Sequence, residues 1–396
     1  MRINFDKVIN RKETYCTQWD FTEDRFGKSD VLPFSISDMD FQSPPEILRA
    51  IAEHVKHGIF GYTRWNHDAY KSAIAHWYKS RFSTDISDEW IVYSPSVIYS
   101  ISTLIVILTN ETDQVILQTP GYDAFFKQLS ASGREMVQNP LIYKNSSYSI
   151  DFDLLERQLS NPKAKILLFC NPHNPTGRVW SHRELQNIVD LCEKHHVKII
   201  SDDIHMDIVY QNHRYTPITD ITGNPDNVFI CTSASKTFNT PSLGGSYAFI
   251  PDEKVRDQFL AIMKQRDGLS SATIFGVLSI IEGYNHAAYW VDELVAYLYD
   301  NMKLVSSFIQ EELPNMTFKI PESTYLAWID CSKLHPSDDE IQDFLVNIGN
   351  VGIMSGGVYH VSEGKFLRMN LGCPRDKLVD GLERLKKSVQ KIELLL

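Results

Sequence analysis

The sequence has little of what marks fibrous, disordered or membrane-spanning chains. Its 396 residues contain 19 glycines and 17 prolines, fewer than average usage, which excludes a collagen-like chain and argues against long low-complexity segments. No stretch reaches the roughly 18 consecutive apolar residues of a membrane span. Charged residues between Asp6 and Lys12 interrupt the apolar run that a secretory signal needs. We therefore expect a cytoplasmic protein without membrane association.

Positive charge and paired cysteines are also scarce. Lysine and arginine total 39 against 50 aspartates and glutamates, a net charge of −11, so the surface should repel polyanions and nucleic acid is not expected as a partner. The six cysteines are far apart and form no C-x-x-C pair, which predicts reduced thiols. A chain of this length can bury a large core without crosslinks.

Short apolar runs alternate with longer helical patterns in the middle of the chain. This alternation is typical of βαβ units and a mainly parallel sheet. A helix is predicted over residues 181–195, because Ser181 and Glu184 form a capping box and apolar residues recur on one face. The predicted strands span residues 114–118, 165–170, 197–201, 228–232 and 246–250.

The pattern changes toward both ends of the chain. The first 47 residues are irregular and rich in aromatic and acidic side chains. From about Ala287 a long amphipathic helix is predicted, then strands over 324–330 and 365–370, then a closing helix over 375–396. We predict a large α/β domain over residues 48–285 and a smaller α/β domain built from residues 1–47 and 286–396.

Chemically distinctive side chains follow four of the predicted strands. In an open α/β sheet, ligands bind in the crevice beyond the carboxyl ends of the strands. An aromatic ring, an amide, a carboxylate with an imidazole, and a lysine flanked by hydroxyls should therefore meet at one edge. The four stretches are Thr119-Pro-Gly-Tyr122, Asn171-Pro-His-Asn-Pro-Thr-Gly177, Asp202-Asp-Ile-His205 and Ser233-Ala-Ser-Lys236.

Pyridoxal 5′-phosphate (PLP) needs this set of groups. Its aldehyde requires a lysine, for which Lys236 is the candidate, and its pyridine nitrogen requires a carboxylate, for which Asp202 is the candidate. Tyr122 can stack on the ring, while Ser233 and Ser235 can bind the phosphate. A second anion site is predicted at residues 94–99, where a small polar loop leads into an apolar run that would open a buried helix.

Each of these signals has a simpler interpretation when taken alone. Lys236 could be a surface lysine, Tyr122 a core aromatic residue, and the stretch from Asn171 to Gly177 an ordinary turn. In an extended strand Asp203, His205 and Asp207 would share a face and could bind a hard metal. The joint order of the motifs at strand ends favours the cofactor over these alternatives, and no metal is expected.

These motifs resemble those of PLP-dependent enzymes of the aminotransferase class I/II family, and within it the bacterial cystathionine β-lyase subgroup. The resemblance runs from about residue 5 to about residue 390. It implies the fold type I of PLP-dependent transferases, an α/β fold with a mainly parallel seven-stranded sheet flanked by helices and a smaller domain. Further matching stretches are Trp19-Asp20, Ser37-Asp-Met-Asp-Phe41, His57-Gly-Ile-Phe-Gly-Tyr62, Arg266-Asp-Gly-Leu-Ser-Ser271, Ser323-Thr-Tyr-Leu-Ala-Trp328 and Leu371-Gly-Cys-Pro-Arg375.

The resemblance implies a role for each candidate residue. Lys236 would form the Schiff base, Asp202 would pair with the pyridine nitrogen, and Tyr122 would stack on the ring. Asn174 would bond the phenolic oxygen of the ring, with His205 close by. The remaining residues would bind the phosphate (Ser233, Ser235, the backbone of Val97 and Ile98, and Tyr62 from a neighbouring subunit) or the substrate α-carboxylate (Arg368, with Asn174).

Three positions depart from the family pattern. Asp203 stands where glutamate is usual, and Gly244 stands where an arginine often binds the phosphate, so that one charged contact is missing. Asp123 follows the stacking tyrosine where some related lyases have a second tyrosine. A leaving-group acid is therefore not assigned.

The resemblance predicts a carbon–sulfur β-lyase that cleaves L-cystathionine, and also cysteine or S-substituted cysteines, to a thiol, pyruvate and ammonia. A PLP-dependent aminotransferase is the alternative enzyme, because binding PLP does not choose the reaction. A homodimer with shared active sites is implied. One subgroup member also modulates the maltose regulon, so contact with a transcriptional activator is the alternative of another class.

Overall fold

The computed structural model describes residues 3–394. Its strands are β1 (Leu32–Pro33), β2 (Ile91–Ser94), β3 (Gln114–Thr119), β4 (Glu135–Pro140), β5 (Ile142–Lys144), β6 (Ser147–Ser149), β7 (Ala164–Cys170), β8 (Lys198–Asp202), β9 (Val228–Thr232), β10 (Ser246–Phe249), β11 (Leu326–Asp330), β12 (Val351–Gly352), β13 (Met354–Ser355) and β14 (Phe366–Asn370). Its α-helices are α1 (Thr22–Phe26), α2 (Pro45–His57), α3 (Asp68–Phe82), α4 (Val97–Leu108), α5 (Asp123–Ser132), α6 (Phe152–Leu159), α7 (His182–Lys194), α8 (Glu253–Ala261), α9 (Ile274–His286), α10 (Ala288–Glu312), α11 (Asp338–Phe344) and α12 (Arg375–Glu393).

A seven-stranded sheet in the order β2-β10-β9-β8-β7-β3-β4 organises the centre of the molecule. The β3–β4, β3–β7, β7–β8 and β8–β9 pairs are parallel, whereas β10 runs antiparallel to both of its neighbours. All residues of β3 and β9 are buried, as in a sheet covered on both faces. The predicted α/β class with a mainly parallel sheet is confirmed.

All five predicted strands of this sheet are present, with ends within one residue of the predicted ones. Two further strands of the sheet, β2 and β4, were not predicted. β2 has four residues, and β4 (EMVQNP) has few apolar residues because it lies at the sheet edge and is partly exposed. The predicted helix 181–195 is α7, and its capping box at Ser181 and Glu184 is formed.

Both ends of the chain pair with each other outside the large sheet. β1, near the N-terminus, is parallel to β12, and a three-stranded sheet in the order β11-β14-β13 lies in the C-terminal region. These pairings support the predicted division into two domains. The predicted boundary at residues 47/48 falls inside α2, which packs against α9, and the division itself stays a prediction.

Two simpler sequence expectations also bear on the fold. All six cysteines are unpaired, and all but Cys16 are buried. In the part of the chain that the structure describes, no helix has both the length and the apolar character that crossing a membrane requires.

Candidate active site

A cavity of about 220 Å³ lies at the carboxyl ends of the central strands. It collects side chains from the loops after β2, β3, β7, β8 and β9, as the strand-end argument predicted. The predicted site residues that line it are Val97, Ile98, Tyr122, Asn174, Asp202, His205, Ser233, Ser235 and Lys236.

Lys236 reaches the cavity from the loop after β9. Its Nζ donates a hydrogen bond to the carbonyl oxygen of Ser37, which also accepts one from the Tyr325 hydroxyl at 2.8 Å. Burial lowers the pKa of Lys236 to about 8, with the Arg368 cation acting in the same direction and the carboxylates of Asp38 and Asp202 opposing it. A substantial neutral fraction of the amine is thus available near pH 8, as a nucleophile or a base requires.

Asp202 is the last residue of β8, and it is only 3% exposed. Its carboxylate accepts a hydrogen bond from the Ile204 backbone N–H at 3.2 Å. Burial raises its pKa to about 7, and neither that hydrogen bond nor the field of Lys236 offsets the cost. A buried carboxylate with so little compensation fits a cationic N–H group, such as a protonated pyridine ring.

His205 and Asn174 line the same cavity. Burial lowers the pKa of His205 to about 3, so its imidazole is neutral at pH 7. Its buried Nδ1 has no hydrogen-bond partner among the described residues, and an orphaned polar atom of this kind fits a polar ligand. Asn174 Oδ1 accepts a hydrogen bond from Arg368 at 3.3 Å.

One helix N-terminus and two serines in the cavity lining suit a phosphate group. Ser96 caps α4 by accepting a hydrogen bond from the Tyr99 N–H at 3.1 Å, which leaves the backbone N–H groups of Val97 and Ile98 at the open end of a helix. Ser233 Oγ donates to the carbonyl of Gly245 at 2.6 Å and accepts from the N–H of Ser235. The helix predicted after residue 94 is therefore present, and anion binding at its N-terminus stays a prediction.

Arg368, on β14, approaches the cavity from the small C-terminal sheet. It is 4% exposed, and its guanidinium lies 4.6 Å from the ring of Tyr359. Its hydrogen bonds go to neutral oxygens, those of Asn174 at 3.3 Å and Ser35 at 2.9 Å, and its Nε is unpartnered among the described residues. A buried cation whose acceptors are neutral fits a carboxylate ligand.

Tyr62 is the predicted site residue that lies away from the cavity. Its side chain is fully exposed in the single chain. Its neighbours Ile59 and Phe60 are also exposed, at 66% and 59%. Its contact with phosphate across a subunit interface stays a prediction.

The metal alternative was wrong about geometry, because β8 ends at Asp202 and the chain turns directly after it. Asp203 therefore accepts hydrogen bonds from Ser201 and Tyr215, while Asp207 accepts them from Trp77 at 3.0 Å and Thr237 at 2.7 Å. No group of three metal-ligating side chains occurs within residues 3–394.

The other two departures from the family pattern have local explanations. Gly244 adopts a φ of +64°, and a Cβ there would lie 3.3 Å from Thr273, so this backbone suits glycine. Asp123 begins α5 and forms an ion pair with Lys127 at 2.8 Å.

Four residues without a predicted role surround Lys236 and Arg368: Ser37, Asp38, Tyr325 and Tyr359. The first three lie inside stretches that matched the subgroup, so a signal existed, but no strand-end rule points to them. Tyr359 meets Arg368 only through the tertiary fold, from a turn preceding β14.

A lysine, a buried aspartate and the N-terminus of a helix, brought together at the ends of parallel strands, define the kind of site that holds PLP. The sequence profile of the family described as "Aminotransferase class I and II" matches residues 29–385, and the chain belongs to that family. The predicted family is thereby confirmed.

Individual relatives extend this similarity over almost the whole chain. The chain is 40% identical to protein MalY of Escherichia coli K12, over 98% of this chain and 99% of MalY. It is 37% identical to cystathionine β-lyase PatB of Bacillus subtilis, over 98% and 100%. The crystal structure of cystalysin from Treponema denticola, which contains PLP, superposes with a TM-score of 0.93 at 30% identity, covering 99% of this chain and 100% of that one.

Proposed function

We propose that the protein is a PLP-dependent carbon–sulfur β-lyase that cleaves L-cystathionine, and also cysteine or S-substituted cysteines, to a thiol, pyruvate and ammonia. The observation that carries this function is the cavity in which Lys236 and Asp202 meet, with Arg368 at its side. Cystathionine β-lyase PatB, which matches 98% of this chain, supports the choice of reaction.

PLP, when bound, supplies an aldehyde for a primary amine and a protonated ring that accepts the electron pair left on Cα. Asp202 would hold the ring nitrogen in its protonated form, and Asn174 with neutral His205 would contact the ring oxygen. Val97, Ile98, Ser233 and Ser235 would bind the phosphate, and Tyr122 would stack on the ring.

Lys236 and Arg368 would act on the substrate. Arg368 would hold the α-carboxylate with a guanidinium already fixed by Ser35 and the Tyr359 ring. The Lys236 amine, neutral in the fraction that its lowered pKa allows, would remove the Cα proton, and such base catalysis contributes about 10² to 10⁴-fold. Loss of the β-thiol then distinguishes a lyase from an aminotransferase.

A product assay separates these two reactions. Purified protein is incubated with PLP and L-cystathionine, and pyruvate and free thiol are measured beside amino transfer to added keto acids. A lyase releases pyruvate and thiol in equal amounts without a keto-acid acceptor. Products that form only when a keto acid is present would replace the proposed function by that of an aminotransferase.

We also propose a homodimer that completes each site with Tyr62 of the neighbouring subunit. The exposed apolar stretch at Ile59 and Phe60, next to fully exposed Tyr62, supports this. Mixing Tyr62→Phe and Lys236→Ala variants tests it: a shared site predicts activity above the sum of the two variants assayed separately. Activity no greater than the sum of the two separate variants would contradict it.

Contact with a transcriptional activator, and a cytoplasmic location, are the remaining proposals. The resemblance to a subgroup member that modulates the maltose regulon supports the first, and the unpaired cysteines are compatible with the second. A pull-down from the host with tagged protein tests the contact, and absence of the activator under conditions that retain the dimer would oppose it.

A further inference from the structure

Residues 35–41, here called the N-terminal strap, pass between the two cationic side chains of the site. The carbonyl oxygen of Ser35 accepts from Arg368 at 2.9 Å, and that of Ser37 accepts from the amine of Lys236. One short segment of backbone therefore touches both the base and the carboxylate-binding group.

Two asparagine amides hold the strap through hydrogen bonds to its backbone. Asn370, two residues after Arg368 on β14, donates to the carbonyls of Ile36 and Asp38. Asn239, three residues after Lys236, accepts from the Met39 N–H at 2.9 Å and donates to the carbonyls of Met39 and Phe41 at 2.8 and 2.7 Å. Asn239 thus lies in the loop that carries Lys236, and Asn370 lies on the strand that carries Arg368.

We propose that Asn239 is a positioning residue for Lys236: by holding the strap at Met39 and Phe41, it fixes the carbonyl oxygen of Ser37 against the lysine amine. This inference rests on the proposed function and goes beyond it. A primary amine that donates one N–H to a fixed carbonyl keeps only two staggered positions for its lone pair. The strap would therefore restrict the direction of the Lys236 lone pair when it accepts the Cα proton.

The position of Asn239 provides a variant that removes the amide without straining the backbone. Asn239 has a φ of +56°, in the left-handed region that glycine adopts freely, so Asn239→Gly removes the three side-chain hydrogen bonds while tolerating that φ. Asn239→Asp is a second variant of the same size, in which an oxygen replaces the amide nitrogen that donates to Met39 and Phe41.

A matched control uses a contact to the same residue. The Ser43 hydroxyl donates to the backbone carbonyl of Asn239 at 3.2 Å, so Ser43→Ala removes a neighbouring hydrogen bond but leaves the side-chain amide in place. We expect kcat of this control to stay within about twofold of the wild type, as for a change that does not touch the reacting groups.

The test combines steady-state kinetics with a deuterium isotope effect from substrate labelled at Cα. We expect Asn239→Gly to lower kcat by about tenfold, with little change in KM, since misplacing a base slows proton transfer more than binding. The isotope effect on kcat should rise, because proton removal becomes more rate-limiting. Asn239→Asp should change both quantities in the same direction.

A second readout does not need lyase activity. The rate at which the apoprotein gains visible absorbance on mixing with PLP reports capture of the aldehyde by the lysine, and it should be slower in both Asn239 variants than in Ser43→Ala. Folded variants with wild-type isotope effect and capture rate would overturn the proposal, even with a lowered kcat. Wild-type protein that releases no pyruvate would contradict the proposed function instead, while the capture rates still test Asn239.

Discussion

Buried carboxylates on the two sides of the turn after β8 differ in how many hydrogen bonds they accept. On the cavity side, Asp202 has a hydrogen bond from the Ile204 backbone. Behind it, Asp203 and Asp207 each accept hydrogen bonds from two side chains, and Asp207 thereby ties Trp77 to Thr237 in the loop that carries Lys236. Burial raises the pKa of all three, to about 7, 7 and 6.

The number of hydrogen-bond partners distinguishes Asp202, whose carboxylate a ligand would complete, from Asp203 and Asp207, which stabilise the fold. Buried polar atoms in proteins normally have partners, so a carboxylate left short of them marks a place where another molecule completes the set. Arg368 and Arg178 repeat the contrast among cations. Arg178 is paired with Glu184 and Glu322, whereas Arg368 has neutral acceptors.

The largest expected effect follows from removing the amine at the centre of the cavity side. Lys236→Ala should lower pyruvate release from L-cystathionine by at least about 10³-fold, because both the nucleophile and the base are lost. Lys79→Ala, at an exposed ion pair with Asp85, is the control and should keep wild-type activity. More than a tenth of wild-type activity in Lys236→Ala would contradict its assigned role.

The same Asp→Asn substitution should mainly lower kcat on the cavity side of the turn and mainly lower the unfolding free energy on the other side. Asp202→Asn should lower kcat by about 10²-fold and leave folding intact, while Asp203→Asn should cost about 1–3 kcal/mol of unfolding free energy by disturbing its bonds to Ser201 and Tyr215, with a smaller loss of kcat. Activity assays and urea unfolding of both variants measure this. If Asp203→Asn lost more activity than Asp202→Asn, the comparison would fail.

The two arginines offer the same comparison at the substrate end. Arg368→Lys should raise KM by about 10 to 10²-fold, because an ammonium cannot replace a bidentate guanidinium. Arg178→Lys should leave KM unchanged, since its carboxylate partners are part of the protein. Steady-state kinetics with L-cystathionine check both variants, and equal KM values for them would contradict the role given to Arg368.

The last expected effect is a pH dependence of stability in the apoprotein. The pKa of Asp202 is about 7 in the folded state, against an ordinary value near 3.9. Between pH 4 and 7 the folded protein therefore binds a proton at Asp202 that the unfolded chain has lost. The contribution of Asp202 to the unfolding free energy falls as pH rises through this range, by at most about 1.4 kcal/mol per pH unit. The measurement is urea unfolding of apo wild type and apo Asp202→Asn at pH 5, 6 and 7.

The contribution of Asp202 is isolated by the difference in unfolding free energy between wild type and Asp202→Asn. Buried His173 and His205 have pKa values lowered to about 3, so each contributes stability that grows as pH rises to about 6.5 and opposes the Asp202 term. Wild type should lose stability relative to Asp202→Asn as pH rises. If the difference in unfolding free energy stays constant from pH 5 to 7, then burial does not raise the pKa of Asp202.

The strand-end residues could be predicted because the central strands are buried runs with clear ends. The residues after Cys170, Asp202 and Thr232 therefore fell into the cavity as expected. β2 and β4 were missed, since one is short and the other is a partly exposed edge. The metal alternative assumed an extended chain beyond Asp202, and local sequence does not reveal that the strand stops there.

The N-terminal strap could not be predicted from local patterns either. Its contacts join residue 37 to Lys236 and residue 35 to Arg368, and such long-range hydrogen bonds leave no periodic signal in the sequence. Family resemblance carried the roles of Asn174, His205 and Arg368, which spacing alone does not assign.

The most direct test of the account is to find where PLP attaches. Holoprotein is reduced with borohydride, digested, and searched by mass spectrometry for the reduced phosphopyridoxyl group, with Lys236→Ala treated in parallel. We predict the group on the peptide containing Lys236 and its absence from the variant. A group on another lysine, or none on wild-type protein saturated with PLP, would contradict it.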